Sequence, residues 1–198
     1  MKTLVCIGDS LVEGEGDELS LGGWPGRVAR AIAPNLGRNI DGWQVYNLGI
    51  GGHSVKDVEA RLGEVLARNP DVVVLGCGAN DVMGTDARGR AMLVDYQKVW
   101  ERVLGKLKAV APKVMVMFGF YAQTEAYADN WRAEYGSMYA EHENFVMELC
   151  RRMDITFVQL SKDFAASDVL SDGLHYNAKG YDVVAQLVVE VLKDEGVV

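Results

Sequence analysis

Four short blocks of the chain carry residue types that acyl-transfer chemistry uses: Gly8-Asp9-Ser10-Leu11, Asn47-Leu48-Gly49, Gly78-Ala79-Asn80-Asp81 and Asp172-Gly173-Leu174-His175. Ser10 follows the apolar run Leu4-Val5-Cys6-Ile7 and a glycine, so it falls at a sharp turn after a buried strand, where α/β proteins place reactive side chains. A serine hydroxyl attacks a carbonyl only when a base removes its proton and hydrogen-bond donors receive the oxyanion. The base has to be a histidine, and there are three. His142, between Glu141 and Glu143 in a helical stretch, reads as a solvated surface residue. His53 follows a glycine turn with nothing nearby in sequence to orient it. His175 stands three residues after Asp172, a spacing that across a turn lets Asp172 accept from one ring nitrogen while the other faces Ser10. The Ser10 and Gly49 backbone N–H groups and the Asn80 side-chain amide would complete a three-donor oxyanion hole, each donor worth about 3 to 4 kcal/mol of barrier.

These blocks need a scaffold that brings them to one place, and the hydrophobic pattern supplies it. Apolar runs at Leu4–Ile7, Trp43–Tyr46, Asp71–Leu75, Val114–Phe118 and Ile155–Leu160 read as strands. The continuous run at Asp71–Leu75 is that of a central parallel strand covered on both faces. Between them lie helices. Trp24-Pro25 opens one that buries Val28, Ala29 and Ile32 and stops at Pro34. Ser54 caps another carrying Val55, Val58, Leu62, Val65 and Leu66 inward. A long one runs from about Arg90 to Val110, and Asn177 caps the last, whose Val184, Leu187, Val188 and Val191 face the core. Alternating strands and helices imply a doubly wound parallel sheet with right-handed crossovers. In such a sheet the carboxyl ends of the strands share one edge, which puts Ser10, Gly49 and Asn80 together.

Between positions 120 and 139 aromatics recur: Tyr127, Trp131, Tyr135 and Tyr139 at helical spacing, as a stripe packed on the sheet, while Phe120 and Tyr121 follow a strand end and are candidates to line a pocket. The acidic run Glu13, Glu15, Asp17, Glu18 reads first as a solvated loop; rimming Ser10, it would repel anionic substrates.

The 198 residues, 49% apolar and 24% charged, suit one folded domain spanning 1–198, without repeats or linkers. A net charge of −8 offers no basic stripe for nucleic acid and disfavours an anionic membrane surface. No apolar run approaches the roughly 20 residues of a membrane span, and Met1-Lys2-Thr3 leads straight into a core strand, so the cytoplasm is the expected compartment. Cys6, Cys77 and Cys150 form no CxxC pair; Cys6 and Cys77, in apolar runs, read as buried reduced thiols. Gly49-Ile50-Gly51-Gly52-His53-Ser54 misses the dinucleotide fingerprint at Ser54, and Val12 breaks the Gly-x-Ser-x-Gly elbow.

The four blocks, in this order from position 8 to 175, resemble those of the SGNH hydrolases, or GDSL esterases/lipases. The resemblance implies a flavodoxin-like three-layer α/β/α fold around a five-stranded parallel sheet, a Ser10–His175–Asp172 triad, and an oxyanion hole from Ser10, Gly49 and Asn80. It implies hydrolysis of esters or thioesters with no cofactor and no metal, and assigns Asp9 and Asp81 to bracing turns. Family members often carry proline after the catalytic histidine; here Tyr176 stands there, with consequences for the loop's shape. The expected function is a serine esterase acting on a small-molecule ester, with short acyl, aryl or acetylated-sugar esters favoured by the acidic run. Lysophospholipase, thioesterase or acyltransferase activity would use the same triad. A non-catalytic flavodoxin-like binding module is the more distant alternative, and lacks a phosphate-cradling loop here.

Overall fold

The computed structural model describes residues 1–33, 42–83, 90–119, 136–160, 165–170 and 172–198. Five strands, β1 (Lys2–Gly8), β2 (Trp43–Gly49), β3 (Val72–Gly76), β4 (Lys113–Phe118) and β5 (Thr156–Gln159), form one sheet in the order β2-β1-β3-β4-β5. All four pairings are parallel, with Gly8 in register with both Gly49 and Gly76. The carboxyl ends of three adjacent strands therefore finish level.

Alternation along β1 builds the layers, because successive side chains of a strand point to opposite faces. Val5 and Ile7 join one core with residues of α3 (Val55–Ala60), α4 (Leu62–Leu66), α6 (Arg90–Lys108) and α7 (Gly136–Arg152). Leu4 and Cys6 join the other with residues of α1 (Ser10–Glu13), α2 (Gly23–Ile32) and α8 (Ala178–Asp194). α5 (Ala79–Met83) follows β3 after Cys77 and Gly78. The result is the expected three-layer α/β/α fold.

Several boundaries depart from expectation. β2 continues past Tyr46 to Gly49, so the glycine ends the strand itself. The helix capped by Ser54 is two helices, broken at Arg61, whose guanidinium reaches back to the Leu48 carbonyl at 3.0 Å and His53 Nδ1 at 3.2 Å. Val55, Val58, Leu62 and Val65 stay buried, but Leu66 turns outward and is 49% exposed. Asn177 does cap α8, accepting from the Lys179 and Gly180 N–H groups; Val184 and Val188 are buried, and Leu187 and Val191 pack beside that core. Phe120, Tyr121, Tyr127, Trp131 and Tyr135 lie outside the described residues, while Tyr139 of α7 packs on Phe118 with ring centroids 5.5 Å apart. All three cysteines are free and buried, and burial pushes their thiols far from ionisation.

Candidate active site

Ser10 is the first residue of α1, and Asp9 caps that helix by accepting from the Leu11 N–H at 3.0 Å. The Ser10 N–H at this position has no intrahelical acceptor, as expected for the first turn of a helix. Asp9 is buried, and burial, opposed by the Leu11 hydrogen bond and reinforced by the nearby Asp81 charge, raises its carboxyl to about 7. It braces the turn; it does not reach the reacting end of Ser10.

The loop before α8 is closed on itself. Val169 and Tyr176 form an antiparallel bridge, Leu170 N–H donates to the His175 carbonyl at 2.8 Å, and Gly173 N–H donates to the Leu170 carbonyl at 2.9 Å. Within this loop Asp172 Oδ1 accepts from the Leu174 and His175 N–H groups at 2.9 and 3.0 Å. Its Oδ2 lies 2.7 Å from His175 Nδ1, and His175 Nε2 lies 3.0 Å from Ser10 Oγ. An Nδ1–H donating to the carboxylate leaves Nε2 free to accept the Ser10 hydroxyl proton, the arrangement a serine nucleophile requires. Burial pushes the Asp172 carboxyl up, but the His175 ring and the two backbone donors outweigh it and hold the group below the usual carboxylate range. Tyr176 turns its ring inward, edge-on to Tyr181 at 5.8 Å.

Two further turns leave the same edge of the sheet, after β2 and β3. Asn80 Nδ2 donates to the His53 carbonyl at 3.1 Å, which fixes the amide and leaves its second hydrogen available. Gly49, the expected backbone donor, is otherwise engaged: its N–H donates to Asn47 Oδ1 at 2.9 Å. A Cβ on Gly49 would sit 2.0 Å from the Glu13 nitrogen, so this glycine serves close packing of β2 against α1. The next turn, Ile50 to His53, is closed by the His53 N–H on the Ile50 carbonyl at 3.3 Å and needs Gly52 at φ +76°. In that turn the Gly51 N–H donates to Glu13 Oε2 at 2.6 Å, and among the described residues the Gly52 N–H has no acceptor. The Gly51-Gly52 pair at a strand end was the sequence signal for this turn.

His142 is not the solvated residue its Glu141 and Glu143 neighbours suggest; it is fully buried. Its Nε2 lies 2.9 Å from Asp81 Oδ2, which also accepts from Trp100 Nε1 at 2.7 Å, while Asp81 Oδ1 accepts from the Val55 N–H at 2.8 Å. Asp81 thus ties α5, α6 and α7 to the start of α3. His53 meets Arg61 rather than the Ser10 hydroxyl.

The acidic run is not a bare solvated loop. Arg27, itself buried, pairs with Asp17 and Asp182 and donates to the Ala178 carbonyl at 3.0 Å. Glu13 holds Gly51, and Glu15 Oε2 lies 3.3 Å from His175 Nε2. The run does rim the site.

Comparison with known proteins identifies the fold and the family. An acetylxylan esterase from Geobacillus stearothermophilus is 26% identical over 202 residues, covering 92% of this chain and 90% of that protein. A crystal structure of an acetylxylan esterase from that organism superimposes with a TM-score of 0.74 at 22% identity, covering 96% of this chain and 93% of the other. A lipase/acylhydrolase from Enterococcus faecalis gives 0.75 at 23% identity, over 98% and 97% of the two chains. The sequence model of the GDSL-like Lipase/Acylhydrolase family matches residues 6–183, and the chain belongs to that family of carboxylic ester hydrolases.

Proposed function

We propose that the chain hydrolyses neutral esters with short acyl groups, acetylated carbohydrates foremost, through an acyl-serine on Ser10. The observation that carries this reading is the unbroken run from Ser10 Oγ through the His175 ring to Asp172, at 3.0 and 2.7 Å. His175 Nε2 takes the Ser10 proton as Oγ bonds to the substrate carbonyl carbon and the carbonyl oxygen becomes an oxyanion. Collapse breaks the bond to the alcohol oxygen, which leaves with the proton from Nε2. Water then attacks the acyl-serine, giving one proton to His175, and the carboxylic acid leaves as Oγ recovers it. Asp172 keeps the ring in the tautomer that each transfer needs.

The oxyanion donors in this reading are the Ser10 N–H, the Asn80 amide and the Gly52 N–H. Gly52 replaces Gly49 because a donor already bonded to Asn47 would have to break that bond to serve. The substrate class is supported by the carboxylates of Glu13 and Glu15 beside the site, which disfavour acyl-CoA and phospholipid esters, and by the acetylxylan esterase among the relatives. The three unpaired buried thiols support a reducing compartment, and we place the protein in the cytoplasm. Among the described residues no helix is long and apolar enough to cross a membrane.

Treatment with a serine-directed organophosphonate, followed by peptide mapping, should place the adduct on Ser10, and Ser10→Ala should abolish turnover of acetyl esters. An adduct elsewhere, or esterase activity surviving in Ser10→Ala, would sink the assignment.

A further inference from the structure

Glu15 has a backbone pinned from three directions. Its N–H donates to the Ser10 carbonyl at 3.0 Å, its own carbonyl accepts from Tyr181 Oη at 2.7 Å, and the following Gly16 packs under Leu170 and the Tyr176 carbonyl. The residue is therefore held by the nucleophile's turn on one side and by the loop and helix that carry His175 on the other. Such anchoring sets where its side chain can go. The carboxylate lies beside the histidine, Oε2 being 3.3 Å from Nε2.

The neighbouring acids are otherwise engaged, Glu13 by the Gly51 N–H and Asp17 by Arg27. Among the described residues the Glu15 carboxylate has no partner except His175. That contact is chemically incomplete. With Nδ1–H donating to Asp172, a neutral ring presents a lone pair at Nε2, and Nε2 is already the acceptor for Ser10 Oγ–H. A carboxylate acceptor is thus placed next to a ring acceptor; the Glu15 side chain is 54% exposed, so water serves it until a bound ester covers it and a substrate hydroxyl takes the water's place.

Nε2 is also the atom that protonates the departing alcohol, so the ester's alcohol oxygen must arrive within hydrogen-bond reach of it. A carboxylate 3.3 Å from the same nitrogen adjoins the carbon next to that oxygen. We propose that Glu15 is a specificity-determining residue that accepts a hydrogen bond from a free hydroxyl vicinal to the ester, and so selects monoesters of diols and sugars over esters whose alcohol lacks that donor. The inference rests on the acyl-serine reading above and adds to it a residue that reads the leaving group. An acceptor that gives up water to a bound ester discriminates against analogues lacking the hydroxyl, because the lost water is then not replaced.

The test uses two acetates that differ in a single O–H: 2-hydroxyethyl acetate and 2-methoxyethyl acetate. The wild-type enzyme should prefer the hydroxy ester in kcat/KM. Glu15→Ala should lower kcat/KM for the hydroxy ester about tenfold and leave the methoxy ester within about twofold. Glu15→Gln, whose amide oxygen still accepts, should fall between them. Equal losses on both esters would overturn the proposal and make Glu15 a partner of His175 in the chemical step; unchanged values, or no wild-type preference, would overturn it as well. Failure of the underlying reading looks different: acetate turnover that survives in Ser10→Ala. Thermal unfolding of each variant checks that it is folded.

Discussion

Asp172 makes three hydrogen bonds at once. Two backbone donors fix one oxygen, so the other meets the His175 ring in a set direction. Asp172→Asn would keep an oxygen for the backbone N–H groups but turn an NH2 toward Nδ1, which favours the tautomer with the proton on Nε2. That ring cannot take the Ser10 proton. The expected outcome is a loss of about 10³ to 10⁴-fold in kcat with the loop's fold preserved, measured by steady-state kinetics alongside circular dichroism. At this scale the sequence was informative where the chemistry is local. The three-residue spacing of Asp172 and His175 crosses a single turn, and Ser10 follows its strand directly. It did not show that the Gly49 N–H is engaged, because that depends on where one side chain, Asn47, places its oxygen.

The helices explain why His142 was misread and what it does. Its sequence neighbours are glutamates, but along α7 it is in phase with Val146, Leu149 and Cys150, which form the buried stripe with it. Nearest neighbours in sequence face other sides of a helix; residues four and seven positions on share its face. Buried there, His142 and Trp100 supply two donors to Asp81, whose other oxygen holds the first N–H of α3 and so fixes the exit from the Ile50 to His53 turn. His142→Phe would fill the space but leave Asp81 short of a donor. Unfolding free energy should fall by about 2 to 4 kcal/mol, read from denaturant titration. The break at Arg61 is the corresponding element-scale surprise. The apolar spacing from Val55 to Leu66 suits one helix, whereas the chain breaks at Arg61, where the side chain makes a tertiary contact with Leu48 that the spacing does not encode.

Across the whole molecule the two edges of the sheet do different work. At the amino edge Lys113 and Thr156, the first residues of β4 and β5, both bond to Glu195 at the end of α8, and Lys2 reaches the Val197 carbonyl at 3.2 Å. At the carboxyl edge lie the buried Asp9 and Asp81 and, beside Ser10, the Asp172–His175 pair, and one of these carboxylates opposes folding. Asp9 ordinarily titrates near 3.8 and is raised to about 7 in the folded chain, chiefly by burial. Below the lower value both states hold the proton, and the shift has no effect. Between the two values the unfolded chain releases it while the folded chain retains it, so this group's contribution to stability declines as pH rises, and it levels off above about 7. Asp172 and Asp17, held low, act in the opposite direction and weaken the fold on acidification. Their effect is shared by a variant at Asp9 and cancels in a difference. Asp9→Asn keeps an oxygen to accept from the Leu11 N–H and has no proton to lose. The unfolding free energy of Asp9→Asn minus that of the wild type should therefore climb by up to about 4 kcal/mol from pH 4 to pH 7 and then stay flat. Denaturant titrations of both proteins across that range measure the difference; a value independent of pH would mean that Asp9 is ionised in the folded enzyme throughout and caps α1 as a carboxylate.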